Sequence, residues 1–231
     1  MDILGFQKLT LIDYPGKVAC TIFTGGCNFR CPFCHNASLV LVDENEPRID
    51  KSEILDYLSR RQKVLDGVCI TGGEPLMHAE TLELIREIHD MGYSVKLDTN
   101  GSYPERLKQA VNEGIVDYVA MDIKNSPETY AATIGLSQYD LSRVQESIDF
   151  LMSSNIDFEF RTTVMREYHT LEEMLSIASW IKGAPRYYLQ AFTDSGDLLE
   201  GGMSAYSSEE MQMLCEKLRQ LIPGCRLREI K

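Results

Sequence analysis

Three cysteines, Cys27, Cys31 and Cys34, lie close together near the start of the chain. Their spacing lets one loop bring three thiolates to an iron–sulfur cluster, which usually takes four cysteine ligands. An iron without a protein ligand keeps an open position, as metal sites that serve chemistry do. The run therefore predicts a cluster that binds a further molecule. A zinc site using the three cysteines and His35 is the alternative, disfavoured because a second Cys-x2-Cys pair is absent from the sequence.

The composition is that of an ordinary globular protein. The 231 residues are 44% hydrophobic and 25% charged, and no linker-like stretch divides them, so we expect one domain over residues 1–231. The net charge of −12 argues against nucleic acid as a partner, because phosphate backbones bind clustered Lys and Arg. We see neither a membrane-spanning stretch nor a secretory signal, and therefore expect a cytoplasmic protein without a membrane partner.

Short apolar runs alternate with segments of helical periodicity. Six strands are predicted: Val18 to Phe23, Gly67 to Ile70, Ser94 to Leu97, Tyr118 to Ile123, Phe158 to Val164 and Tyr187 to Ala191. The alternation predicts an α/β fold with a parallel sheet that curls toward a barrel. In such sheets ligands bind at the carboxyl ends of the strands, so unusual motifs should directly follow the strands.

Helix starts are predicted from polar residues followed by Glu at the third position. These pairs are Asp50 with Glu53, Thr170 with Glu173, and Ser207 with Glu210. After Thr170, the predicted apolar face consists of Leu171, Met174, Leu175, Ala178 and Ile181.

Polar motifs do follow the predicted strands. Gly72 and Gly73 would let the backbone approach a ligand, and Glu74 could accept hydrogen bonds from an ammonium group, although a plain strand-to-helix loop is the alternative. Two further strand ends carry Asp98 with Thr99, and Asp122 with Lys124.

We expect Asp98, Asp122 and Lys124 to face one cavity, where a buried pair of acids needs a cation or protons. An ordinary turn at Asp98 and a solvated Lys124 are the alternatives. Arg161, within the fifth predicted strand, could bind a carboxylate if it points inward.

Two further features have less definite interpretations. Cys20, Cys69, Cys215 and Cys225 show no ligand spacing and are expected to be buried free thiols. Gly196, Gly201 and Gly202 indicate either a mobile loop near the barrel mouth or a plain connector.

Together, Cys27-x3-Cys31-x2-Cys34, Phe33 and Gly72-Gly73-Glu74 resemble the radical S-adenosylmethionine superfamily. The resemblance implies a partial (β/α)6 barrel that is open on one side. Further likeness, in Gly5-Phe6, the segment Ile12 to Gly16 and the residues after Cys34, is to activating proteins of anaerobic ribonucleoside-triphosphate reductases.

The resemblance also implies the cofactors and their contacts. A [4Fe-4S] cluster would lie on Cys27, Cys31 and Cys34, with S-adenosylmethionine on the open iron. Phe33 and His35 would lie against its adenosine, Gly72, Gly73 and Glu74 would hold its ammonium, and Asp122 and Lys124 would face it. Asp98 and Thr99 match a position that holds a monovalent cation in a related activase. Where such activases tend to have a histidine after the sixth strand, this chain has Gln190 and its neighbours.

The implied activity is the reductive cleavage of S-adenosylmethionine to a 5'-deoxyadenosyl radical, which takes hydrogen from a glycine of a partner enzyme. The implied partners are an anaerobic ribonucleotide reductase and a low-potential electron donor such as flavodoxin or ferredoxin. The short chain, without a second cysteine cluster, favours an activase over larger radical enzymes. The alternatives are a small-molecule enzyme of the 7-carboxy-7-deazaguanine synthase type and a non-enzymatic iron–sulfur or zinc protein.

Overall fold

Eight strands and eight helices alternate along the computed structural model, which describes residues 1–228. The strands are β1 (Ile3–Thr10), β2 (Ala19–Thr24), β3 (Gly67–Gly72), β4 (Ser94–Thr99), β5 (Tyr118–Asp122), β6 (Asp157–Val164), β7 (Tyr187–Ala191) and β8 (Cys225–Arg228). The helices are α1 (Ala37–Val40), α2 (Lys51–Ser59), α3 (Glu80–Asp90), α4 (Pro104–Asn112), α5 (Tyr130–Thr133), α6 (Ser142–Ser153), α7 (Leu171–Trp180) and α8 (Ser208–Leu218). A 3-10 turn, Pro75–Met77, follows β3.

The strands form one mostly parallel sheet whose order follows the chain from β1 to β8. β1 pairs with β2 in the antiparallel sense, whereas β2 with β3, β3 with β4, β6 with β7 and β7 with β8 are parallel. The sheet ends at β1 and β8 and is not closed. The predicted α/β class with a parallel, open-sided sheet is therefore confirmed.

The residue contacts divide the chain into two compact units. Unit 1 contains Met1–Asn28 and Ser38–Val119, and unit 2 contains Phe29–Ala37 and the chain from Ala120 onward. The division passes through the cysteine run, so Cys27 belongs to unit 1, whereas Cys31 and Cys34 belong to unit 2. The single domain over residues 1–231 stays a prediction.

Each unit has an apolar core between strands and helices. In unit 1, Ile22 of β2, Ile70 of β3 and Ile85 of α3 are fully buried. In unit 2, Phe160 of β6 and Ile177 of α7 are fully buried. Burial of successive strand residues is expected in a parallel sheet whose strands are buried on both faces.

The six predicted strands correspond to β2 to β7, and two strands were missed. β1 has three consecutive exposed residues, Gln7, Lys8 and Leu9, so it shows no clean alternation. β8 has only four residues and directly follows the turn at Pro223 and Gly224. Neither segment carries the pattern that marks the central strands.

The predicted helix starts are largely confirmed. Thr170 and Ser207 form complete capping boxes with Glu173 and Glu210, whereas Asp50 caps α2 through the amide of Ser52 instead.

The predicted apolar face of α7 is partly wrong. Leu171 and Leu175 are 38% and 36% exposed, and the buried residues are Met174, Ile177 and Ala178. Ile177, which the predicted apolar face did not include, is buried in the core. Within residues 1–228, the helices lack the length and apolar character that a membrane crossing requires.

Candidate functional site

In unit 1, the ends of β2 and β3 are joined by backbone hydrogen bonds. The amide of Gly73 donates to the carbonyl of Thr24 over 2.9 Å, and the amide of Glu74 donates to the carbonyl of Gly26 over 2.8 Å. A Cβ on Gly73 would lie 2.1 Å from Gly26 O, and one on Gly72, whose φ is +128°, would lie 2.2 Å from Thr24 O. The two glycines are therefore required by the close approach of two chain segments beside Cys27.

Glu74 is fully buried, with 0% exposure, and its carboxylate binds groups of this same unit. Oε1 accepts from the amide of Leu76 over 3.1 Å and from Thr99 Oγ1 over 2.8 Å, and Oε2 accepts from the amide of Asn100 over 2.6 Å. Glu74 thus ties the end of β3 to the end of β4. Its predicted contact with an ammonium group stays a prediction.

Asp98 is paired with a buried lysine that precedes it on β4. Lys96 Nζ forms an ion pair with Asp98 Oδ1, and Thr71 Oγ1 donates to Asp98 Oδ2 over 3.1 Å. Lys96 is only 1% exposed, and its Nζ lies 3.7 Å from Cys69 Sγ. The cation that a buried acid needs is therefore supplied to Asp98 by the protein. The predicted monovalent cation at Asp98 and Thr99 stays a prediction.

Asn100 is a candidate site residue that the sequence reasoning missed. Its Nδ2 donates to Asn28 Oδ1 over 3.0 Å and lies 3.9 Å from Cys27 Sγ. Its Oδ1 accepts from the amide of Ser102 over 2.9 Å, and Ser102 Oγ also contacts Asn28 Oδ1, over 3.3 Å. The available signal was the Asn-Gly pair after β4, which entered only as the ordinary-turn alternative for the Asp98 segment. In the structure, the side chains of Asn100 and Ser102 hydrogen-bond to Asn28, the residue that follows Cys27.

In unit 2, a turn after α5 fixes the backbone of the cysteine loop. The amide of Arg30 donates to the carbonyl of Ile134 over 2.8 Å. A Cβ on Gly135, whose φ is +71°, would lie 2.1 Å from Arg30 O, so glycine is required there. Within the loop, the amide of Cys34 donates to the carbonyl of Cys31 over 3.0 Å. Gly135 is a second residue that the sequence reasoning missed.

Asp122 binds two cations of unit 2 at the end of β5. Lys124 Nζ lies 2.8 Å from Asp122 Oδ2, and Arg161 of β6 forms an ion pair with Asp122 Oδ1. Arg161 therefore does bind a carboxylate, but one supplied by the protein. Asp98 lies in unit 1, so each predicted acid has a cation from its own unit.

The same groups set the charges beside the cysteine loop. Burial acts to raise the pKa of Asp122, but the charges of Arg161 and Lys124 outweigh it and hold that pKa well below its ordinary value. Burial acts to lower the pKa of Lys124, but the charge of Asp122 and the nearby sulfurs of Cys31 and Cys34 raise it above its ordinary value. Lys124 therefore stays protonated beside two of the predicted ligands.

The two predicted adenosine contacts, Phe33 and His35, lie among aromatic groups of unit 2. Phe33 is buried, and its ring centroid lies 5.6 Å from that of Tyr168 and 6.3 Å from that of His169. His35 lies 5.6 Å from Phe192. Burial lowers the pKa of His35 below its ordinary value, with the charge of Lys124 acting in the same direction.

His169 is fully buried and fixes the chain at Lys124. Its Nε2 lies 2.9 Å from the carbonyl of Lys124, and its Nδ1 accepts from the amide of Met165 over 3.4 Å. A proton on Nε2 satisfies both contacts, so the ring is the neutral Nε2–H tautomer. Burial accordingly lowers its pKa below the ordinary value.

The segment 192–206 of unit 2, between β7 and α8, is hydrogen-bonded to the cysteine loop. Ser195 Oγ donates to the carbonyl of His35 over 3.0 Å, and the amide of Glu200 donates to the carbonyl of Pro32 over 2.9 Å. At its other end, the carbonyl of Ser204 accepts from the amide of Arg166 over 3.0 Å. Gly196, Gly201 and Gly202 therefore belong to a connector that is hydrogen-bonded to the cysteine loop.

The sequence predicts two alternative metal sites at the cysteine loop, an iron–sulfur cluster and a zinc site that includes His35. Within residues 1–228, Cys27, Cys31 and Cys34 form no disulfide, and cysteine thiolates are the soft ligands that iron–sulfur clusters take. Among residues 1–228, no group of three or more His, Cys, Asp or Glu side chains is arranged to hold a single metal ion. Three cysteine sulfurs are the donor type that a cluster with three protein ligands takes, and both this ligand set and the zinc alternative with His35 stay predictions.

Comparison with known proteins identifies the family. The sequence profile of the Radical SAM superfamily matches residues 21–181. The chain belongs to the radical SAM superfamily. This makes it an enzyme, in place of the non-enzymatic alternatives, and the cofactors of radical SAM enzymes are a [4Fe-4S] cluster and S-adenosylmethionine.

Three relatives show how far the similarity extends. A Methanocaldococcus jannaschii protein, provisionally named a glycyl-radical enzyme activating enzyme, is 31% identical over 82% of this chain and 79% of its own length. The 7-carboxy-7-deazaguanine synthase of Thermoplasma acidophilum is 26% identical over 67% of this chain and 70% of its own length. The crystal structure of Streptococcus suis SuiB bound to S-adenosylmethionine has a TM-score of 0.69 at 12% identity.

The SuiB match covers 89% of this chain but 49% of the SuiB chain. This radical SAM chain thus spans about half the length of that solved relative, and at such low identity the likeness concerns the fold alone.

Proposed function

We propose that this radical SAM enzyme activates a glycyl-radical enzyme, and that its protein substrate is an anaerobic ribonucleoside-triphosphate reductase. The observation that carries the proposal is the similarity to the Methanocaldococcus jannaschii protein, which extends over 82% of this chain and 79% of that protein. The reductase as partner is supported by the resemblance in Gly5-Phe6, the segment Ile12 to Gly16 and the residues after Cys34.

In this proposal Cys27, Cys31 and Cys34 hold the cluster, and their spacing and their cysteine sulfurs, none of which forms a disulfide within residues 1–228, are consistent with that role. When bound, the reduced cluster supplies the electron that cleaves S-adenosylmethionine to methionine and a 5'-deoxyadenosyl radical. A low-potential flavodoxin or ferredoxin is the proposed electron donor.

The charged groups of unit 2 favour a carboxylate ligand. Lys124 and Arg161 supply two cationic side chains beside Asp122, and all three side chains are partly buried. The raised pKa of Lys124 keeps its ammonium charged. Lys124 and Arg161 can therefore donate charge-assisted hydrogen bonds to the methionine carboxylate of S-adenosylmethionine.

The remaining predicted contacts divide by chemistry. Phe33 and His35 contact the adenosine, and the buried setting of Phe33 excludes water from a reactive species. In unit 1, the segment Gly72–Glu74 receives the ammonium, and Asp98 with Thr99 lies at the position proposed for a monovalent cation. Glu74 also holds this arrangement through its bonds to Thr99 and Asn100.

A radical-transfer assay tests the proposal. The anaerobically reconstituted, reduced enzyme is mixed with S-adenosylmethionine and a candidate reductase, and electron paramagnetic resonance is recorded. We expect a glycyl-radical signal that disappears when the radical-bearing glycine of the reductase is replaced by alanine. Cys31→Ala should lose both cluster and signal, whereas Cys20→Ala, which changes a buried cysteine outside the loop, should keep both.

The second candidate is a small-molecule enzyme of the 7-carboxy-7-deazaguanine synthase type, favoured by the similarity to the Thermoplasma acidophilum enzyme over 67% of this chain. Turnover of a pterin-like substrate, with no glycyl radical on an authentic reductase, would select this candidate and overturn the activase proposal. Cluster binding without any cleavage of S-adenosylmethionine would overturn both.

A further inference from the structure

Two buried thiols outside the cysteine loop lie side by side in unit 2. Cys215 is on α8 and Cys225 begins β8, and their Sγ atoms are 3.6 Å apart. They are 1% and 0% exposed. The sequence reasoning predicted both as buried thiols without ligand spacing, and the fold makes them a pair.

The connection between α8 and β8 keeps the two thiols together. The amide of Ile222 donates to the carbonyl of Leu218 over 2.9 Å, and the amide of Cys225 donates to the carbonyl of Ile222 over 2.9 Å. A Cβ on Gly224 would lie 2.0 Å from Pro185 O, so the turn is also packed tightly against its neighbour. The hydrogen-bonded and tightly packed turn between α8 and β8 therefore holds the two thiols together.

The two sulfur atoms are close enough to bond after a small movement. A disulfide needs the sulfurs about 2.05 Å apart, and the Cβ atoms of a disulfide lie about 3.5–4.5 Å apart. The sulfurs must therefore approach by about 1.5 Å from their separation of 3.6 Å, and we expect side-chain rotation to provide this movement.

We propose that Cys215 and Cys225 are a modification site at which a peroxide forms a disulfide between α8 and β8. Hydrogen peroxide is the oxidant that suits two buried thiols, because it is small and uncharged. The site is separate from the proposed cluster ligands, so it does not depend on the proposed function.

The surroundings favour Cys215 as the thiol that reacts first. The hydrogen-bonding contact with the Cys225 sulfur lowers the pKa of Cys215, which burial opposes and the charge of Arg219 assists. The guanidinium is fixed nearby, since Arg219 Nε donates to the carbonyl of Cys225 over 3.0 Å. The thiolate is the reactive form of cysteine.

The reaction is balanced in two steps. The Cys215 thiolate attacks one oxygen of hydrogen peroxide, the O–O bond breaks, and the hydroxide that leaves takes up a proton, giving a sulfenic acid and water. The Cys225 sulfur then attacks the sulfenic sulfur, the S–O bond breaks, and the oxygen leaves with the thiol proton as a second water. The two thiols lose two electrons and two protons in total, and the peroxide is reduced to two waters.

Peptide mapping of the full chain tests the proposal. Trypsin cleaves after Lys217 and Arg219, so Cys215 and Cys225 fall on different peptides. After peroxide treatment, alkylation of remaining thiols and digestion without reductant, we expect these two peptides as one disulfide-linked species that a reductant separates. The experiment is run with and without cluster reconstitution, and the linked species is expected in both.

Cys20 and Cys69 provide a matched control in the same digest. Both are buried on adjacent strands, but Cys20 pairs in register with Val68 and Thr21 with Cys69, which puts the two cysteines on opposite faces of the sheet. We expect them to stay alkylatable, without a link between them.

A second measurement separates a true disulfide from general oxidation. Peroxide should raise the thermal midpoint of the wild type but not of Cys225→Ser, because a cross-link constrains the unfolded chain. The proposal is overturned if Cys215 accumulates sulfinic acid without the linked species, or if Cys215 and Cys225 lose alkylation no faster than Cys20 and Cys69. The wild-type peptide map gives this answer even if the variant fails to fold.

Discussion

Replacement of Gly73 by alanine tests whether the glycine pair is required by backbone packing. The new Cβ would lie 2.1 Å from Gly26 O and 2.6 Å from Gly26 C, and contacts below 3.0 Å are essentially never observed for real Cβ atoms. The segments of Gly26 and Gly73 must therefore separate by about 0.9 Å, the difference between the 3.0 Å limit and 2.1 Å.

The size of this separation determines how much unfolding free energy the Gly73→Ala variant loses. Moving Gly26 O away by about 0.9 Å would lengthen the bond from the Glu74 amide, now 2.8 Å, beyond hydrogen-bonding range. A lost hydrogen bond costs about 1 kcal/mol. The forced backbone shift adds roughly 1–3 kcal/mol. We expect Gly73→Ala to lower the free energy of unfolding by about 2–4 kcal/mol.

The assay is urea unfolding of the cluster-free protein, followed by circular dichroism under reducing conditions. Gly201→Ala is the control, because a Cβ there meets nothing within 4 Å. It should change the unfolding free energy by less than about 0.5 kcal/mol. Gly92→Ala, with a φ of +90° and open space, measures the cost of a left-handed backbone alone, about 1–2 kcal/mol, which Gly73, without a positive φ, does not incur. A loss for Gly73→Ala no larger than for Gly201→Ala would refute the packing argument.

Three further variants test the surroundings of the site. Glu74→Gln weakens bonds to three buried donors and should lower the unfolding free energy by about 1–3 kcal/mol in the same urea assay; an unchanged value would contradict its tethering role. The pKa of buried His169 lies below its ordinary 6.5, so the unfolded chain binds more protons as the pH falls through 6.5, and the fold loses stability there. His169→Gln should therefore flatten the dependence of unfolding free energy on pH between 7 and 5, and an unaltered slope would count against this assignment. Asn100→Leu removes the N–H donor 3.9 Å from Cys27 Sγ and should lower the cluster reduction potential, measured by spectroelectrochemical titration, whereas Ser102→Ala should not; equal shifts in both would exclude the donor.

The central strands and their end motifs were predictable because their signals are local. Apolar and β-branched runs mark β2 to β7, and parallel order then places the following residues at one edge of the sheet. β1 and β8 carry weaker patterns, since β1 is exposed over Gln7, Lys8 and Leu9, and β8 has four residues. The strand count was therefore short by the two strands at the ends of the sheet.

Lys96 shows a contact that the sequence did contain. Residues two apart on a strand point to the same face, so Lys96 and Asp98 were expected neighbours once β4 was assigned. Asp98 was instead expected to need a cation or protons in a cavity shared with Asp122 and Lys124. The contact from Glu74 to Asn100 is different, because only the packing of the β3 and β4 ends reveals it.

The surroundings of the cysteine loop depend on segments far away in the sequence. The spacing of Cys27, Cys31 and Cys34 predicts an iron–sulfur cluster or, as the alternative, zinc, because ligand spacing is local in the sequence. In unit 2 the same loop is held by Gly135 after α5 and by Ser195 and the other bonds of the segment 192–206. Its charge comes from Lys124, whose position depends in turn on His169. Changes in these distant segments should therefore alter the site without touching a predicted ligand.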